Sequence, residues 1–163
     1  MQTVVPPVRR SPVPWWGRQA GFVLLALTLP VLGTFHVAPV RGASMEPTLA
    51  NGQTVLYQAL PKGWYSPKVG ELVVFNAPTE PGHRYVKRIV GLPGDELRFS
   101  AGTLRVNGRL LALPQGAIEP GFRLSVRVPE ESFFALGDHG RVSYDSRRFG
   151  SVPMRLLIGP LVG

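Results

Sequence analysis

The pattern of apolar and polar positions divides the chain near residue 40 into an apolar segment and a region of short strands. After residue 40, seven short runs are rich in β-branched and aromatic residues and are bounded by Gly, Pro and Asn, which is typical of strands. These runs cover residues 53–58, 71–76, 84–91, 95–100, 103–107, 123–128 and 132–137. The pair Asn107-Gly108 between two runs predicts a type I′ hairpin. The pattern therefore predicts a mostly β, antiparallel and barrel-like domain, with residues 59–70 as a loop.

The apolar segment, residues 20–40, contains no Asp, Glu, Lys or Arg. As a helix, 21 residues reach about 31 Å, roughly the hydrocarbon thickness of a bilayer. The tail before it, residues 1–19, holds three arginines, two tryptophans and no acidic residue. By the positive-inside rule, this predicts a cytoplasmic tail at 1–19, one transmembrane helix at 20–40 and an extracytoplasmic domain at 41–163. The C-terminal run, 155–163, is too short for a second span.

The basic start and the apolar stretch at residues 22–35 would also fit a cleaved signal peptide. No A-x-A cleavage site precedes Ser44, which favours a retained anchor. His36 falls inside the predicted span, where we interpret it as a packed or interface-facing residue rather than a ligand or proton relay.

The amino-acid composition restricts the partners that the protein can bind and the chemistry that it can perform. The 163 residues include 19 Gly and 17 Pro, which suits many strands joined by turns. Lys and Arg number 18 against 10 acidic residues, a formal charge of +8 that favours nucleic acid or anionic lipid. No nucleic-acid-binding module is recognisable, so we expect membrane lipid and no nucleic acid as a partner. The absence of cysteine excludes disulfides, thiolate metal sites and a cysteine nucleophile.

Ser44 is the first candidate for chemistry, because it follows the apolar segment closely in the stretch "RGASMEPTLANG". A serine hydroxyl is a poor nucleophile without a positioned base. His83 and His139 are the two histidines beyond the apolar segment. His139 adjoins Asp138, so a Ser-His-Asp triad is one hypothesis, although adjacent residues do not readily form a linear relay.

Lysine is the alternative base. Lys62 and Lys68 flank a proline-rich loop, where we expect them to be solvated and charged. In the strand at 84–91, the two-residue period places Lys87 on one face with Tyr85 and Ile89. Burial on that face would lower the lysine pKa from its reference value of about 10.4. A lysine in a strand is also commonly a surface residue that extends its charge to solvent.

A third group of residues lies in the segment 137–150, "GDHGRVSYDSRRFG". One interpretation is a polar turn. In the other, Ser143 donates a hydrogen bond that orients Lys87, while Asp145 and Arg147 pair to hold the loop.

Three blocks, "SMEPTL", "YVKRIVGLPGD" and "GDHGRVSYDSRRFG", follow the apolar segment in this order. Together they resemble type I signal peptidases, which are membrane-anchored serine proteases with a Ser/Lys dyad. The resemblance covers most of residues 20–152. It implies Ser44 as nucleophile, Lys87 as neutral general base, Ser143 as the hydroxyl that orients the lysine, and Asp145 with Arg147 as a supporting ion pair.

The resemblance also implies substrate pockets, a function and a location. The pockets for the first and third residues before the scissile bond are implied at Met45, Leu49, Tyr85 and Val86. The implied function is cleavage of signal peptides from secretory preproteins after small residues, commonly Ala-X-Ala, with no metal or organic cofactor. The implied location is a bacterial cell membrane, single-pass, with the catalytic domain outside. Two alternatives stay open: a specialised conjugation or pilus processing protease, and a non-catalytic anchored β-domain that binds exported proteins or lipid.

Two positions depart from the family pattern. Some members carry an oxyanion-hole hydroxyl two residues before the nucleophile, where this chain has Gly42. We expect backbone N–H groups, including that of Ser44, to serve instead. The usual Asn-Arg after Gly-Asp is replaced by His139-Gly140, with Arg141 one place later, so His139 and Arg141 receive no role.

Overall fold

The computed structural model describes residues 34–162, and the bounds below refer to that part of the chain. The predicted cytoplasmic tail and the larger part of the predicted span, residues 20–33, lie outside the described residues. Within residues 34–162, no helix is long and apolar enough to cross a bilayer.

Short strands make up most of the described chain. They are β1 (Phe35–Pro39), β2 (Thr54–Gln58), β3 (Leu72–Asn76), β4 (Arg84–Gly91), β5 (Glu96–Ser100), β6 (Thr103–Val106), β7 (Arg109–Leu111), β8 (Leu124–Arg127), β9 (Ser132–Leu136), β10 (Val152–Pro153) and β11 (Leu157–Val162). A short helix, α1 (Ser146–Phe149), and a 3-10 turn (Met154–Leu156) lie near the C-terminus.

The strands form two antiparallel sheets. The larger sheet has the order β1-β2-β11-β3-β4-β9-β10, and the smaller has the order β7-β6-β5-β8. In the larger sheet, Arg84 of β4 donates a hydrogen bond to the hydroxyl of Tyr57 in β2, although β11 and β3 lie between these strands. The larger sheet must therefore curl until β2 and β4 face each other. The prediction of a mostly β, antiparallel fold is confirmed.

The seven predicted strands correspond to β2–β6, β8 and β9, each within one residue at either end. The loop predicted at 59–70 contains no strand. Asn107 and Gly108 have φ of 50° and 79°, the positive values that a type I′ turn requires, and they join β6 to β7. The alternation of apolar residues and the turn residues therefore carried enough information to predict these elements.

The C-terminal end of the predicted span is corrected by the structure. Phe35–Pro39 is strand β1, paired antiparallel with β2 from Phe35↔Gln58 to Pro39↔Thr54. His36 lies in this strand and stacks on Tyr57 with ring centroids 5.4 Å apart. Hydropathy placed these residues in a helix because an uncharged strand and the end of a spanning helix share the same apolar composition.

Strands β10 and β11 and the helix α1 were not predicted. Strand β11 contains Gly159 and Pro160, residues that normally argue against a strand. Its register shifts between Leu157 and Gly159. A Cβ at Gly159 would lie 1.9 Å from the carbonyl oxygen of Gln58, so this glycine permits a close backbone approach that a sequence pattern cannot reveal.

Strand β4 contributes to three apolar clusters. Val90 packs between the sheets with buried residues of the smaller sheet and β9, among them Leu97, Phe99, Leu104, Phe134 and Leu136. Ile89 packs with the larger-sheet residues Val73, Phe75, Phe133, Ala135 and Val152. Val86 packs against the third cluster, Val40, Met45, Leu49 and Val55. With side chains packed on both faces, β4 is a rigid support for any group that it carries.

Candidate active site

Lys87 lies in the middle of β4, and its side chain is buried, with 4% of the residue surface exposed. Its Nζ is hydrogen-bonded to Oγ of Ser44 at a distance of 2.5 Å. Burial lowers the lysine pKa to about 8, an effect that Asp145 opposes and Arg147 reinforces. A lysine with this pKa is partly neutral near pH 8 and can accept a proton from a serine hydroxyl.

Ser44 is held by the residues that follow it in its loop. Met45 and Leu49 are 1% and 7% exposed and pack in one cluster with Val55. The carbonyl oxygen of Ser44 accepts a hydrogen bond of 3.1 Å from the backbone N–H of His139. The loop that carries Ser44 is thus fixed on one side by apolar packing and on the other by the loop at 137–150.

The loop at 137–150 is organised around Asp145, which is fully buried. Its carboxylate accepts hydrogen bonds from Arg147 Nη2 at 2.6 Å and Nε at 2.9 Å, and from the backbone N–H of Gly137 at 2.9 Å. Burial alone would raise the Asp145 pKa, but Arg147, with help from Ser143 and Gly137, holds it below its usual range. Arg147 also donates to the carbonyl of Ala117, which ties this loop to a neighbouring one.

Ser143 lies in the same loop and is also buried. It stands close enough to Asp145 to help lower that pKa, yet its Oγ has no well-aligned hydrogen-bond partner within residues 34–162. The predicted hydrogen bond from Ser143 to Lys87 is therefore not formed in this structure. The lysine amine is instead bonded to Ser44.

Gly137 separates Ser44 from Ser143. A Cβ at this position would lie 2.2 Å from Ser143 Oγ and 2.4 Å from the carbonyl oxygen of Ser44. Both distances are far below any contact that real Cβ atoms make, so only glycine fits here without displacing one of the two serines.

The structure does not assemble the alternative histidine triad. The Asp138 carboxylate is bonded to Arg88 and Thr48 rather than to an imidazole. His139 reaches Ser44 through its backbone N–H, and its Nδ1 is buried with no partner among the described residues. His83 is 71% exposed beside Glu80.

Sequence reasoning missed the cluster formed by Arg88, Asp138 and Thr48. Arg88 donates to Asp138 from Nε at 2.9 Å and from Nη2 at 2.6 Å, and Thr48 Oγ1 donates to Asp138 at 2.5 Å. Each residue belongs to one of the three sequence blocks, so the cluster joins the loop that carries Ser44, β4 and the loop at 137–150. The available signal was Arg88 between the apolar residues Val86 and Val90 on one face of β4.

The four predicted pocket residues fall into two groups. Met45, Leu49 and Val86 pack together beside Ser44. Tyr85 lies on the opposite face of β4, with its ring 5.8 Å from Lys87 Nζ and edge-on to Phe75. Burial, together with Glu80, raises the pKa of Tyr85 to about 12.

Gly42, at the position of the missing hydroxyl, has a φ of 89°, and its N–H donates to the Asn51 side chain at 2.9 Å. That N–H is therefore already bonded. The backbone N–H of Ser44 makes no hydrogen bond within residues 34–162 and stays available to an oxyanion. Among the described residues, no three His, Cys, Asp or Glu side chains are grouped to hold a metal ion.

A serine hydroxyl beside a buried lysine of lowered pKa is an arrangement in which an amine can accept the proton of a serine nucleophile. The sequence profile of the family described as "Signal peptidase, peptidase S26" matches residues 15–162. The chain belongs to this family and is a serine endopeptidase of the signal-peptidase class. The resemblance inferred from the three sequence blocks is thus confirmed.

Individual relatives agree with this assignment. The chain is 38% identical over 127 residues to the probable signal peptidase I-2 of Synechocystis sp., covering 74% of this chain and 58% of that protein's length. It is 35% identical over 153 residues to signal peptidase I of Bacillus amyloliquefaciens, covering 85% and 80%. The crystal structure of a signal peptidase I from Enterococcus faecalis matches with a TM-score of 0.54 and 28% identity, covering 60% of this chain and 98% of that one.

Proposed function

We propose that this protein removes signal peptides from exported preproteins, with Ser44 as nucleophile and Lys87 as general base. The observation that carries the proposal is the 2.5 Å contact between Ser44 Oγ and a lysine amine whose burial lowers its pKa to about 8. Membership of the signal peptidase family supports the choice of substrate.

The dyad can perform both halves of peptide hydrolysis. Neutral Lys87 accepts the Ser44 proton as Oγ attacks the scissile carbonyl carbon, and the backbone N–H of Ser44 stabilises the oxyanion. The tetrahedral intermediate collapses, and the ammonium of Lys87 gives its proton to the departing amine. Lys87 then takes a proton from a water molecule that attacks the acyl-enzyme, and collapse of the second intermediate returns that proton to Ser44 Oγ and releases the carboxylic acid.

The supporting residues act through position. Asp145 and Arg147 hold the loop at 137–150 against the nucleophile loop, and Ser143 lies in the same loop. Ser143 would orient Lys87 once the amine releases its bond to Ser44. We assign Ser143, Asp145 and Arg147 to this positioning role.

The substrate would bind as an added strand. β9 pairs with β4 only from Arg88 onward, so within residues 34–162 the first half of β4 has one unpaired edge. β1 is a terminal strand of the larger sheet and also has one edge unpaired in the described part of the chain. An extended peptide can add its backbone to such edges. Met45, Leu49 and Val86 would then receive the small side chain before the scissile bond, with Tyr85 beside the dyad.

Because β1 begins at Phe35, the uncharged stretch before it is residues 20–34, which is 15 residues against the roughly 20 that a bilayer needs. The proposed membrane location therefore rests on the apolar composition of this stretch and on membership of the signal peptidase family. A nucleophile close behind a membrane anchor would meet a scissile bond that follows the substrate's own apolar segment.

The decisive experiment incubates the purified full-length protein with a preprotein and sequences the new N-terminus. We expect the wild type to cleave after a small residue and Ser44→Ala to be inactive. Ser125→Ala, which changes an exposed serine of β8, is the matched control and should cleave normally. Full activity of Ser44→Ala would refute the mechanism.

A further inference from the structure

His36, Tyr57 and Arg84 form a polar cluster on the larger sheet. It lies on the face where Val86 packs with Met45 and Leu49, a group called the Val86 pocket below. Arg84, the first residue of β4, donates from Nη1 to the Tyr57 hydroxyl at 2.8 Å. Tyr57 is 4% exposed, whereas Arg84 is exposed. His36 of β1 stacks on the Tyr57 ring. Three strands thus bring together side chains that carry N–H or O–H hydrogen-bond donors.

The position of this cluster relative to the dyad follows from the strand period. Arg84 and Val86 are two residues apart, so their side chains share a face of β4 and lie about 6.7 Å apart along the strand. Val86 packs with Met45 and Leu49, the neighbours of the nucleophile. The register agrees, since Val74↔Val86 and Asn76↔Arg84 are successive same-face pairs with β3. The cluster is therefore one same-face step beyond the pocket beside Ser44.

A bound strand has the same period as β4. Because β9 covers the edge of β4 from Arg88 onward, a peptide whose residue before the scissile bond occupies the Val86 pocket would extend toward Arg84, parallel to β4. The residue two places earlier then reaches Arg84 and Tyr57. This is the third substrate residue before the scissile bond. The inference rests on the proposed function, because it needs a peptide in the groove.

The hydrogen-bond donors of Arg84 are only partly occupied by other residues of the protein. A guanidinium carries five N–H donors and no acceptor. One hydrogen bond of Arg84 goes to Tyr57, and no carboxylate lies within 4.0 Å of it among the described residues. An apolar substrate side chain placed here would displace water from the guanidinium without replacing its hydrogen bonds. A side chain with an acceptor oxygen would replace them.

We propose that Arg84, oriented by Tyr57, makes this enzyme prefer a hydrogen-bond acceptor, such as a hydroxyl, amide or carboxylate oxygen, at the third substrate residue before the scissile bond. The preference is a property of this chain's own side chains. It modifies the small-residue preference rather than abolishing it, since Thr, Asn and Asp stay compact.

The test uses two peptides that differ only at this position, one with Thr and one with Val, which are close in size and shape. Wild-type kcat/KM should favour Thr by about five- to tenfold, the range of one hydrogen bond to a partly exposed charge. Arg84→Met should remove or reverse the ratio, and Tyr57→Phe should reduce it. Arg98→Met, which changes an exposed arginine of β5, is the matched control and should keep the wild-type ratio.

A wild-type ratio near one, or a ratio that survives Arg84→Met, would overturn the proposal while leaving signal peptide cleavage intact. If neither peptide nor any preprotein is cleaved, the proposed function fails as well. The ratio of two substrates on one variant cancels losses from misfolding, so a less stable Arg84→Met protein still gives a valid answer.

Discussion

The two sheets are built from similar strands but bury different chemistry. Within residues 34–162, the buried polar side chains belong to β4 or to the segment 138–146 beside the larger sheet. They are Lys87, Asp138, Ser143, Asp145 and Ser146. Among the described residues, the strands of the smaller sheet bury apolar side chains only: Leu97, Phe99 and Leu104. A buried charge destabilises a protein unless it is paired. The difference therefore indicates that the buried charges of the larger sheet lower its folding stability and serve the reaction, whereas the smaller sheet contributes apolar packing.

The largest expected effect comes from filling the space between the loop that carries Ser44 and the loop at 137–150. Gly137→Ala would drive a methyl group into Ser143 and the Ser44 carbonyl. We expect kcat/KM to fall by at least about 100-fold, since displacement of a catalytic group by about 1 Å has this effect. Gly121→Ala, next to the smaller sheet, meets no atom within 4 Å and has no positive φ, so it should leave activity unchanged. Equal activity of the two variants would remove the steric argument.

The next effect concerns the buried ion pair. Asp145→Asn leaves Arg147 without its charged partner and should lower the free energy of unfolding by about 3 kcal/mol. Activity should fall too, because the loop that supports Lys87 and Ser44 loosens. Glu96→Gln, an exposed acid of β5, should change neither quantity. Thermal melting and kcat/KM measured on the same samples separate the two effects: a rate loss without a change in melting would assign Asp145 a direct catalytic role instead.

Lys87 should itself destabilise the fold at neutral pH. Its pKa is about 8 in the folded protein against 10.5 when exposed, so below pH 8 the folded state holds a buried ammonium. This penalty is about 3 kcal/mol and disappears between pH 8 and 10.5, where the folded state releases the proton before the unfolded state does. Lys87→Met should therefore be inactive yet more stable at pH 7, with the gain vanishing once the pH exceeds the pKa of an exposed lysine. Chemical denaturation of the wild type and of Lys87→Met, at pH 7 and at a pH above 10.5, measures this gain in the free energy of unfolding. A less stable Lys87→Met protein at pH 7 would contradict the burial argument.

The sequence predicted the strands well because their apolar alternation and turn residues are local signals. β4 shows this most clearly, since the two-residue period alone placed Lys87, Tyr85 and Ile89 on one face. Sequence reasoning failed for β1, where five uncharged residues look the same in a strand and at the end of a membrane helix. It also failed for β11, whose Gly159 is explained only by a backbone that lies close by in space.

The candidate site also has a part that the sequence predicted and a part that it did not. Ser44, Lys87 and the Asp145–Arg147 pair were predictable from residue type and from the three blocks. The links between blocks were not: Arg88 with Asp138 and Thr48, Gly137 between two serines, and Arg84 with Tyr57 all join residues that are distant in sequence. The missing bond between Ser143 and Lys87 is of this kind as well, because its formation depends on angles that no sequence pattern contains.

The central claim is that neutral Lys87 is the base, and the pH dependence of kcat/KM tests it most directly. The rate should fall on the acid side with an apparent pKa of about 8, as Lys87 takes up a proton. Lys87→Arg should be inactive at every pH, because arginine does not release its proton. His139→Ala should keep most activity and the same profile. An inactive His139→Ala beside an active Lys87→Arg, or a wild-type profile with a pKa of about 6.5, the ordinary value of a histidine, would show that a histidine is the base and would contradict the account.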